Sequence, residues 1–184
     1  MKIPRIAYAA YGFALVILVL DQLTKAWIMG GLDLREMGHI QVLPPLFNLT
    51  WVENRGVSFG LFGDGSARWM LSAFSIAVAG ILGWWALRAD RRLLITAIGL
   101  IMGGALGNVI DRIRFGYVVD FLDVSGPHVF LPGFLPGFLA NFKINFPWIF
   151  NVADSAICIG VILLILDSVR AEQEAKVGLA AEKS

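Results

Sequence analysis

Five ionisable side chains lie within thirteen positions of the sequence, directly after an apolar stretch, and they suggest acid–base chemistry. The segment GNVIDRIRFGYVVDFLD, residues 107–123, contains Asp111, Arg112, Arg114, Asp120 and Asp123. A further acid, Asp154, follows in FNVADSA. Two carboxyl groups that are held together away from water titrate as a coupled pair, and one of them retains a proton near neutrality.

Asp120 and Asp154 are the candidates for such a pair. Asp120 follows the apolar residues Val118 and Val119, so we expect it to lie where ionisation is disfavoured. Asp154 is predicted in the first turn of a helix with Asn151 as its N-cap, where the helix dipole favours a carboxylate. In an aspartic-protease dyad one carboxylate activates water while the protonated one polarises the scissile carbonyl. Either residue alone is better explained as a cap, whereas the two together favour catalysis, and the sequence leaves open which is the base.

The rest of the sequence predicts membrane-spanning helices that would position these residues. The chain is 58 % hydrophobic and 16 % charged with a mean hydropathy of +0.73, whereas soluble domains are about a quarter charged. Four stretches are apolar enough to cross a bilayer, which requires roughly 20 residues. We predict spans at about 6–29, 68–88, 93–111 and 149–169, in one membrane domain over residues 1–170, followed by a cytoplasmic tail at 171–184. The first span lacks a small-residue cleavage site, so we expect it to be retained.

The distribution of positive charge predicts the orientation in the membrane. Arg88, Arg91 and Arg92 crowd the short link between the second and third spans, and both tails are basic. Because such residues favour the cytoplasmic side, we expect this link and both termini there. The segments at about 30–67 and 112–148 then face the other side. The net charge of +1 gives no indication of a nucleic-acid partner.

The two outer segments have different patterns. In PPLFNLTWVENRGVSFGLF, apolar and polar residues alternate, which predicts a small sheet within residues 40–62 and turn points at Gly56 and Gly60. In the second segment, LPGFLPGF at residues 131–138 combines helix-breaking proline and glycine with an apolar composition. We expect this repeat to lie in the membrane interface.

Polar residues in or at the edge of a span are costly, and they are therefore functional candidates. Asp21 and Lys25 are one helical turn apart and can pair on one helix face, which favours a supporting role at the helix end. Asp111 could orient Arg112 or a neighbouring loop. Lone Cys158 lies within the fourth span, and packing is its simplest explanation.

The third span combines a packing face with a candidate binding face. Glycine recurs at every fourth position from Gly99 to Gly107, which allows a neighbouring helix to approach closely. Gly104, Asn108 and Arg112 share an adjacent face at the same spacing. They offer a bare backbone, an amide and a guanidinium, which suit an extended peptide and a carbonyl or charged group beside it.

Four segments of the sequence resemble the motifs of a known family. In this order, DQLTK, ENRGVSFGLF, GGALGNVIDRIRFGYVVDF and FNVADSA are similar to the motifs of bacterial lipoprotein signal peptidase, or signal peptidase II, of peptidase family A8. The resemblance covers nearly the whole chain. It implies that Asp120 and Asp154 are the catalytic dyad. It implies that the substrate groove or the dyad's supports include Asn54, Gly56, Gly104, Asn108, Arg112, Asn151 and Ala153, and that the structurally important polar residues are Asp21, Lys25 and Asp111.

The resemblance also implies a fold and an activity. The fold is an all-α integral membrane protein with four transmembrane helices, a small extracytoplasmic β-sheet that cradles the substrate, and a periplasmic loop or helix segment. The activity is an aspartic endopeptidase of the bacterial inner membrane, active at the extracytoplasmic face. Its substrate is a prolipoprotein whose lipobox cysteine carries diacylglycerol, and it cleaves just before that cysteine. The family uses no metal or other cofactor, contacts membrane lipid and is blocked by globomycin, and we expect a monomer.

Other functions explain the residues less well. A transporter or channel could use Asp120 and Asp154 as a proton or cation site, but both are predicted near one end of the spans. A presenilin-type protease requires Gly-x-Gly-Asp on a helix, and the chain has only GDG in a loop. A metal-dependent hydrolase requires clustered ligands, and His39 and His128 are not spaced as ligands. A scaffold would not explain two acids opposite an arginine and an asparagine. The segment between the two aspartates, LDVSGPHVFLPGFLPGFLANFKINFPWI, is longer and more hydrophobic than is typical of the family. Our hypothesis is that it acts as an interfacial lid or membrane anchor near the scissile bond.

Overall fold

A computed structural model of the chain describes residues 6–44, 46–56, 66–124 and 148–182. The helices in these ranges are α1 (Ala7–Ala26), which continues as a π-helix over Trp27–Gly31, α2 (Leu34–Met37), α3 (Ser66–Ala86), α4 (Arg92–Arg114) and α5 (Val152–Glu182). The strands are β1 (His39–Leu43), β2 (Phe47–Asn54), β3 (Val118–Asp123) and β4 (Ile149–Phe150). Predicted turn point Gly60 and the LPGFLPGF repeat at 131–138, with the lid or anchor hypothesis, lie outside the described residues.

Four helices are long and apolar enough to cross a membrane. They cover Ala7–Gly31, Ala67–Ala86, Arg92–Arg114 and Val152–Val177. The third of them, α4, is mostly buried because α1, α3 and α5 all pack against it. The outer helices expose large apolar side chains such as Leu15 and Phe74, as expected where lipid is the solvent. The predicted four-helix membrane architecture is confirmed.

The strands form one sheet at the end of the bundle where α4 finishes. Their order is β1-β2-β3-β4, and every neighbouring pair is antiparallel. The pairing sets Val52 of β2 opposite Asp120 of β3. One apolar cluster joins the sheet to the top of α1, because Leu49, Val119 and Phe121 bury against Ile28. The small sheet predicted from the alternating pattern is thus present.

Glycines allow α4 to contact two neighbours at backbone distance. A Cβ atom at Gly103 would lie 2.5 Å from the Ala14 carbonyl oxygen of α1. A Cβ atom at Gly104 would overlap the Ala153 carbonyl oxygen of α5 and lie 2.8 Å from Ile157 Cγ1. Real side-chain atoms do not occupy such positions, so both helices depend on glycine for their spacing.

A buried charge cluster joins the bundle to the sheet. Lys25 Nζ lies 2.8 Å from Asp21 Oδ2 and 2.7 Å from Asp111 Oδ2, and these three side chains are at most 1 % exposed. The carboxylates also accept backbone hydrogen bonds, Asp21 Oδ1 from Ala153 N–H (3.1 Å) and Asp111 Oδ2 from Val119 N–H (3.0 Å). The cluster therefore connects α1, α4, β3 and the start of α5.

We expect Lys25→Met to destabilise the protein by about 3–5 kcal/mol, because it leaves two buried carboxylates without their cation. The measurement is thermal or denaturant unfolding in detergent. Lys176→Met is the matched control, since its pair with Glu172 is 71 % and 67 % exposed and should contribute little. Equal stability of the two variants would contradict a structural role for the cluster.

Candidate active site

Asp120 lies on β3 with its carboxyl group held by two amides. Asn151 Nδ2 donates to Asp120 Oδ1 at 2.7 Å, and Asn54 Nδ2 donates to Asp120 Oδ2 at 3.0 Å. The side chain is 2 % exposed. Burial, followed by the negative charge of Asp154, raises the pKa of Asp120 to about 6, although both amide hydrogen bonds act in the opposite direction.

Asp154 lies in the first turn of α5 and is only partly buried. Its Oδ1 accepts a hydrogen bond from Asn108 Nδ2 of α4 at 2.8 Å. Its backbone N–H donates to Asn151 Oδ1 at 2.9 Å, while the Asn151 N–H donates back to Asp154 Oδ2 at 3.4 Å. This reciprocal capping arrangement confirms Asn151 as the N-cap of α5.

Asn151 connects the two carboxyl groups. Its side chain is fully buried, and its Nδ2 donates to Asp120 while its Oδ1 accepts from the Asp154 backbone. The same Nδ2 lies 3.2 Å from Asn108 Oδ1 and 3.3 Å from the Val119 carbonyl oxygen. One side chain thus fixes the relative positions of a strand acid and a helix acid.

The end of β2 brings the second amide to Asp120. The Gly56 N–H donates to Asn54 Oδ1 at 2.9 Å, which turns the Asn54 amide nitrogen toward Asp120. Gly56 has a φ of +78°, a left-handed conformation that side chains rarely adopt. Asn54 and Gly56 therefore act together as one turn that orients a donor.

Arg112 and Asn108 line a cavity of about 230 Å³ between α3, α4 and α5, together with Phe74, Ile101 and Ile157. Arg112 Nη1 lies 3.4 Å from the Asn108 carbonyl oxygen, and the guanidinium interacts electrostatically with both members of the pair. An apolar cavity with a cation and an amide at one end suits an apolar peptide segment with polar backbone groups.

Gly104 and Ala153 lie at the α4–α5 contact. The Gly104 backbone packs on the Ala153 carbonyl, and the Ala153 N–H donates to Asp21. Both residues hold the start of α5 in place. The structure thus puts Gly104 at a helix interface, where the sequence suggested a bare backbone for a peptide.

A second, larger groove lies beside Asp154. Its volume is about 620 Å³, and its walls are mostly apolar, with Trp148, Phe150, Ile157 and Ile159 among them. Asp154 is the acid at its edge. Asp154 therefore lies at the edge of one apolar groove, while its hydrogen-bond partner Asn108 lines the smaller cavity.

Two supporting residues were not recognised from the sequence. Gln22 Nε2 donates to Asp111 Oδ1 at 3.0 Å and lies 3.2 Å from Asp21 Oδ2, so it adds a neutral donor to the Lys25 cluster. The sequence does contain an indication of this role, because Gln22 is a polar residue directly after Asp21 within a predicted span. Thr50 Oγ1 donates to Asp123 Oδ2 at 2.5 Å, so Asp123 joins β3 to β2 within the sheet.

Among the described residues, no group of three or more His, Cys, Asp and Glu side chains could hold a metal.

A family model and individual relatives indicate the same protein family for this chain. The model of the family described as signal peptidase (SPase) II matches residues 13–170. A lipoprotein signal peptidase of Caulobacter vibrioides is 45 % identical over 175 residues, 94 % of each chain. One from Shewanella loihica is 38 % identical over 168 residues, 89 % of this chain and 88 % of the other.

The fold is also similar to solved structures. A bacterial membrane enzyme determined at 2.3 Å by the in meso method superposes with a TM-score of 0.67 at 29 % identity, over 90 % of both chains. A second such structure, at 1.9 Å, gives 0.64 at 30 % identity and covers 86 % of this chain and 91 % of the other. The chain is a multi-pass membrane protein and belongs to the signal peptidase II family.

Proposed function

We propose that this protein is a membrane aspartic endopeptidase that removes signal peptides from diacylglyceryl-modified prolipoproteins, cleaving just before the lipidated cysteine. The observation that carries the proposal is the bridged pair of carboxyl groups, Asp120 and Asp154, joined through Asn151. The family membership supports the reaction, and the pair supports its aspartic chemistry. Because both acids lie at the sheet end of the helices, they favour hydrolysis there over ion passage at midspan.

The environments of the two acids support different roles. Asp120 is buried beside a negative charge, so we assign it the proton and the hydrogen bond to the scissile carbonyl. Asp154 accepts hydrogen bonds from Asn108 Nδ2 and from the Asn151 N–H and is partly exposed, so we assign it the contact with the attacking water. This assignment makes Asp154 the general base.

The reaction then follows from these protonation states. Asp154 takes a proton from a water molecule, and the resulting hydroxide oxygen adds to the carbonyl carbon while Asp120 donates to the carbonyl oxygen. The tetrahedral gem-diol collapses by breaking the C–N bond; the proton on Asp154 passes to the leaving amine, and one gem-diol hydroxyl returns its proton to Asp120. Arg112 offers positive charge near the anionic pair during these steps. None of these reaction steps requires a metal ion.

The two cavities divide the substrate. We assign the signal peptide to the cavity at Asn108 and Arg112, because its polar end can bind backbone carbonyls. The larger apolar groove beside Asp154 is assigned to the acyl chains on the cysteine.

We place both termini and the α3–α4 link in the cytoplasm, and the dyad at the outer face of the inner membrane. The tail assigned to residues 171–184 continues α5 as far as Glu182.

The direct test is cleavage of a diacylglyceryl-modified prolipoprotein by the purified chain in detergent with a chelator present. We expect Asp120→Asn and Asp154→Asn each to lower kcat by at least about 10³-fold, because the residues act as one unit. Substrate binding should change far less.

Asp33→Asn is the matched control, since it also turns a carboxylate into an amide. Asp33 is exposed at a φ of 51°, a conformation that asparagine tolerates. Normal cleavage by both dyad variants would refute the assignment, and loss of wild-type cleavage on adding chelator would refute the metal-free mechanism.

The raised pKa of Asp120 predicts a pH-dependent effect on stability. Its contribution is fully present below about pH 4 and is lost as the pH rises through about 6, because ionisation is disfavoured in the folded state. Asp120→Asn cannot ionise, so relative to wild type it should gain on the order of 2–3 kcal/mol of stability between pH 4 and pH 8. Unfolding measured across this range, again beside Asp33→Asn, checks it, and a difference that does not vary with pH would contradict it.

A further inference from the structure

A third cavity lies at the opposite end of the helices from the dyad. It has a volume of about 280 Å³ and lies between the first turn of α4 and the facing turns of α5. Its charged residues are Arg91, Arg92, Asp167, Arg170 and Glu174. The proposed peptidase reaction uses none of them.

One acid in this cavity is already neutralised by one arginine. Asp167 is 4 % exposed, and its Oδ2 lies 2.8 Å from Arg91 Nη2. Arg91 Nη1 also lies 3.5 Å from the Asp167 carbonyl oxygen, so this pair fastens the link before α4 to α5. The contact to Oδ2 is not aligned as a hydrogen bond, which leaves this buried oxygen without a donor among the described residues.

Two further guanidinium groups remain available. Those of Arg92 and Arg170 make no ion pair or hydrogen bond with another described side chain. Arg92 is the first residue of α4, where the helix dipole disfavours a cation and favours an anion. An anion bound beside Arg92 and Arg170 would therefore relieve the unfavourable placement of a cation at the start of α4.

The surroundings place this cavity at the depth of lipid headgroups. The Arg88 guanidinium stacks over the Trp84 ring at 3.9 Å, and tryptophan near a helix end is typical of the membrane interface. Leu166 and Val169 of α5, which directly precede Asp167 and Arg170 of the cavity, are 45 % and 47 % exposed, so acyl chains can lie along them. Basic pockets between membrane helices are a recognised way of binding phospholipid headgroups.

We propose that this cavity binds the headgroup of an anionic phospholipid from the adjacent leaflet. Arg92 and Arg170 contact its phosphate, and a headgroup hydroxyl donates to the exposed Glu174 carboxylate. The volume accommodates a headgroup and not a whole lipid, whose chains lie on the outer surface of α5. Three arginines and two acids line the cavity, so its net positive charge favours an anionic lipid over a zwitterionic one.

The test is lipid binding by the full chain in neutral detergent, measured by native mass spectrometry and by the shift in unfolding temperature. The probes are dioleoyl phosphatidylglycerol, phosphatidylethanolamine and phosphatidylcholine, with glycerol phosphate as the free headgroup. We expect saturable binding of phosphatidylglycerol, at least tenfold tighter than either zwitterionic lipid, and none of glycerol phosphate. The Arg92→Gln/Arg170→Gln variant should bind phosphatidylglycerol on the order of 10-fold or more weakly.

The matched control is Arg35→Gln/Arg55→Gln, which removes the same net charge from the two exposed arginines that pair with Glu53 at the sheet end. It should bind phosphatidylglycerol within about twofold of wild type. Equal binding by wild type and the Arg92/Arg170 variant, or equal affinity for all three lipids, would overturn the proposal. Displacement of the lipid by glycerol phosphate would show a free-phosphate site instead. These readouts do not involve cleavage, so they are independent of the peptidase proposal.

Discussion

One buried ammonium group holds the functional end of this molecule together. The Lys25 ammonium lies 2.8 Å from the Asp21 carboxylate and 2.7 Å from the Asp111 carboxylate. Each carboxylate also accepts a hydrogen bond from a backbone N–H directly before a dyad aspartate. Ala153 N–H belongs to the turn that carries Asp154, and Val119 N–H belongs to the strand residue before Asp120. Charges buried this deeply are costly unless paired, so the cluster has essentially one low-energy geometry. The strand and the helix that carry the dyad are thereby fixed to the same two membrane helices.

The two acid pairs of the protein are stabilised in different ways. Asp21 and Asp111 share a cation, whereas Asp120 and Asp154 are held mainly by neutral amides from Asn54, Asn108 and Asn151. A neutral amide orients a carboxyl group but carries no net positive charge, so it offsets the repulsion between two neighbouring carboxylates less than a cation does. Burial and the neighbouring carboxylate therefore raise the pKa of Asp120 to about 6. We infer that the same arrangement that positions the dyad also leaves a proton on it.

Much of this design could be predicted from the sequence, because it follows from local patterns. Apolar length predicted the four spans, alternation predicted β2, and the i,i+4 spacing predicted the Asp21–Lys25 pair. The N-cap role of Asn151 followed from its position before an apolar helix, and its three-residue spacing to Asp154 matches the capping contacts. Long-range contacts were not accessible in this way. That Asp111 joins Lys25, that Asn151 reaches Asp120, and that Gly104 packs on Ala153 depend on how α1, α4 and α5 meet.

The central claim is that Asp120, within the Asp120–Asp154 pair, retains a proton up to about pH 6. Infrared difference spectroscopy with isotope-labelled aspartate reports protonated carboxyl groups in the intact protein. The account predicts a protonated carboxyl band in wild type that titrates near pH 6 and is lost in Asp120→Asn. A band that persists unchanged in Asp120→Asn and disappears instead in Asp21→Asn would place the proton on the Lys25 cluster and contradict the account.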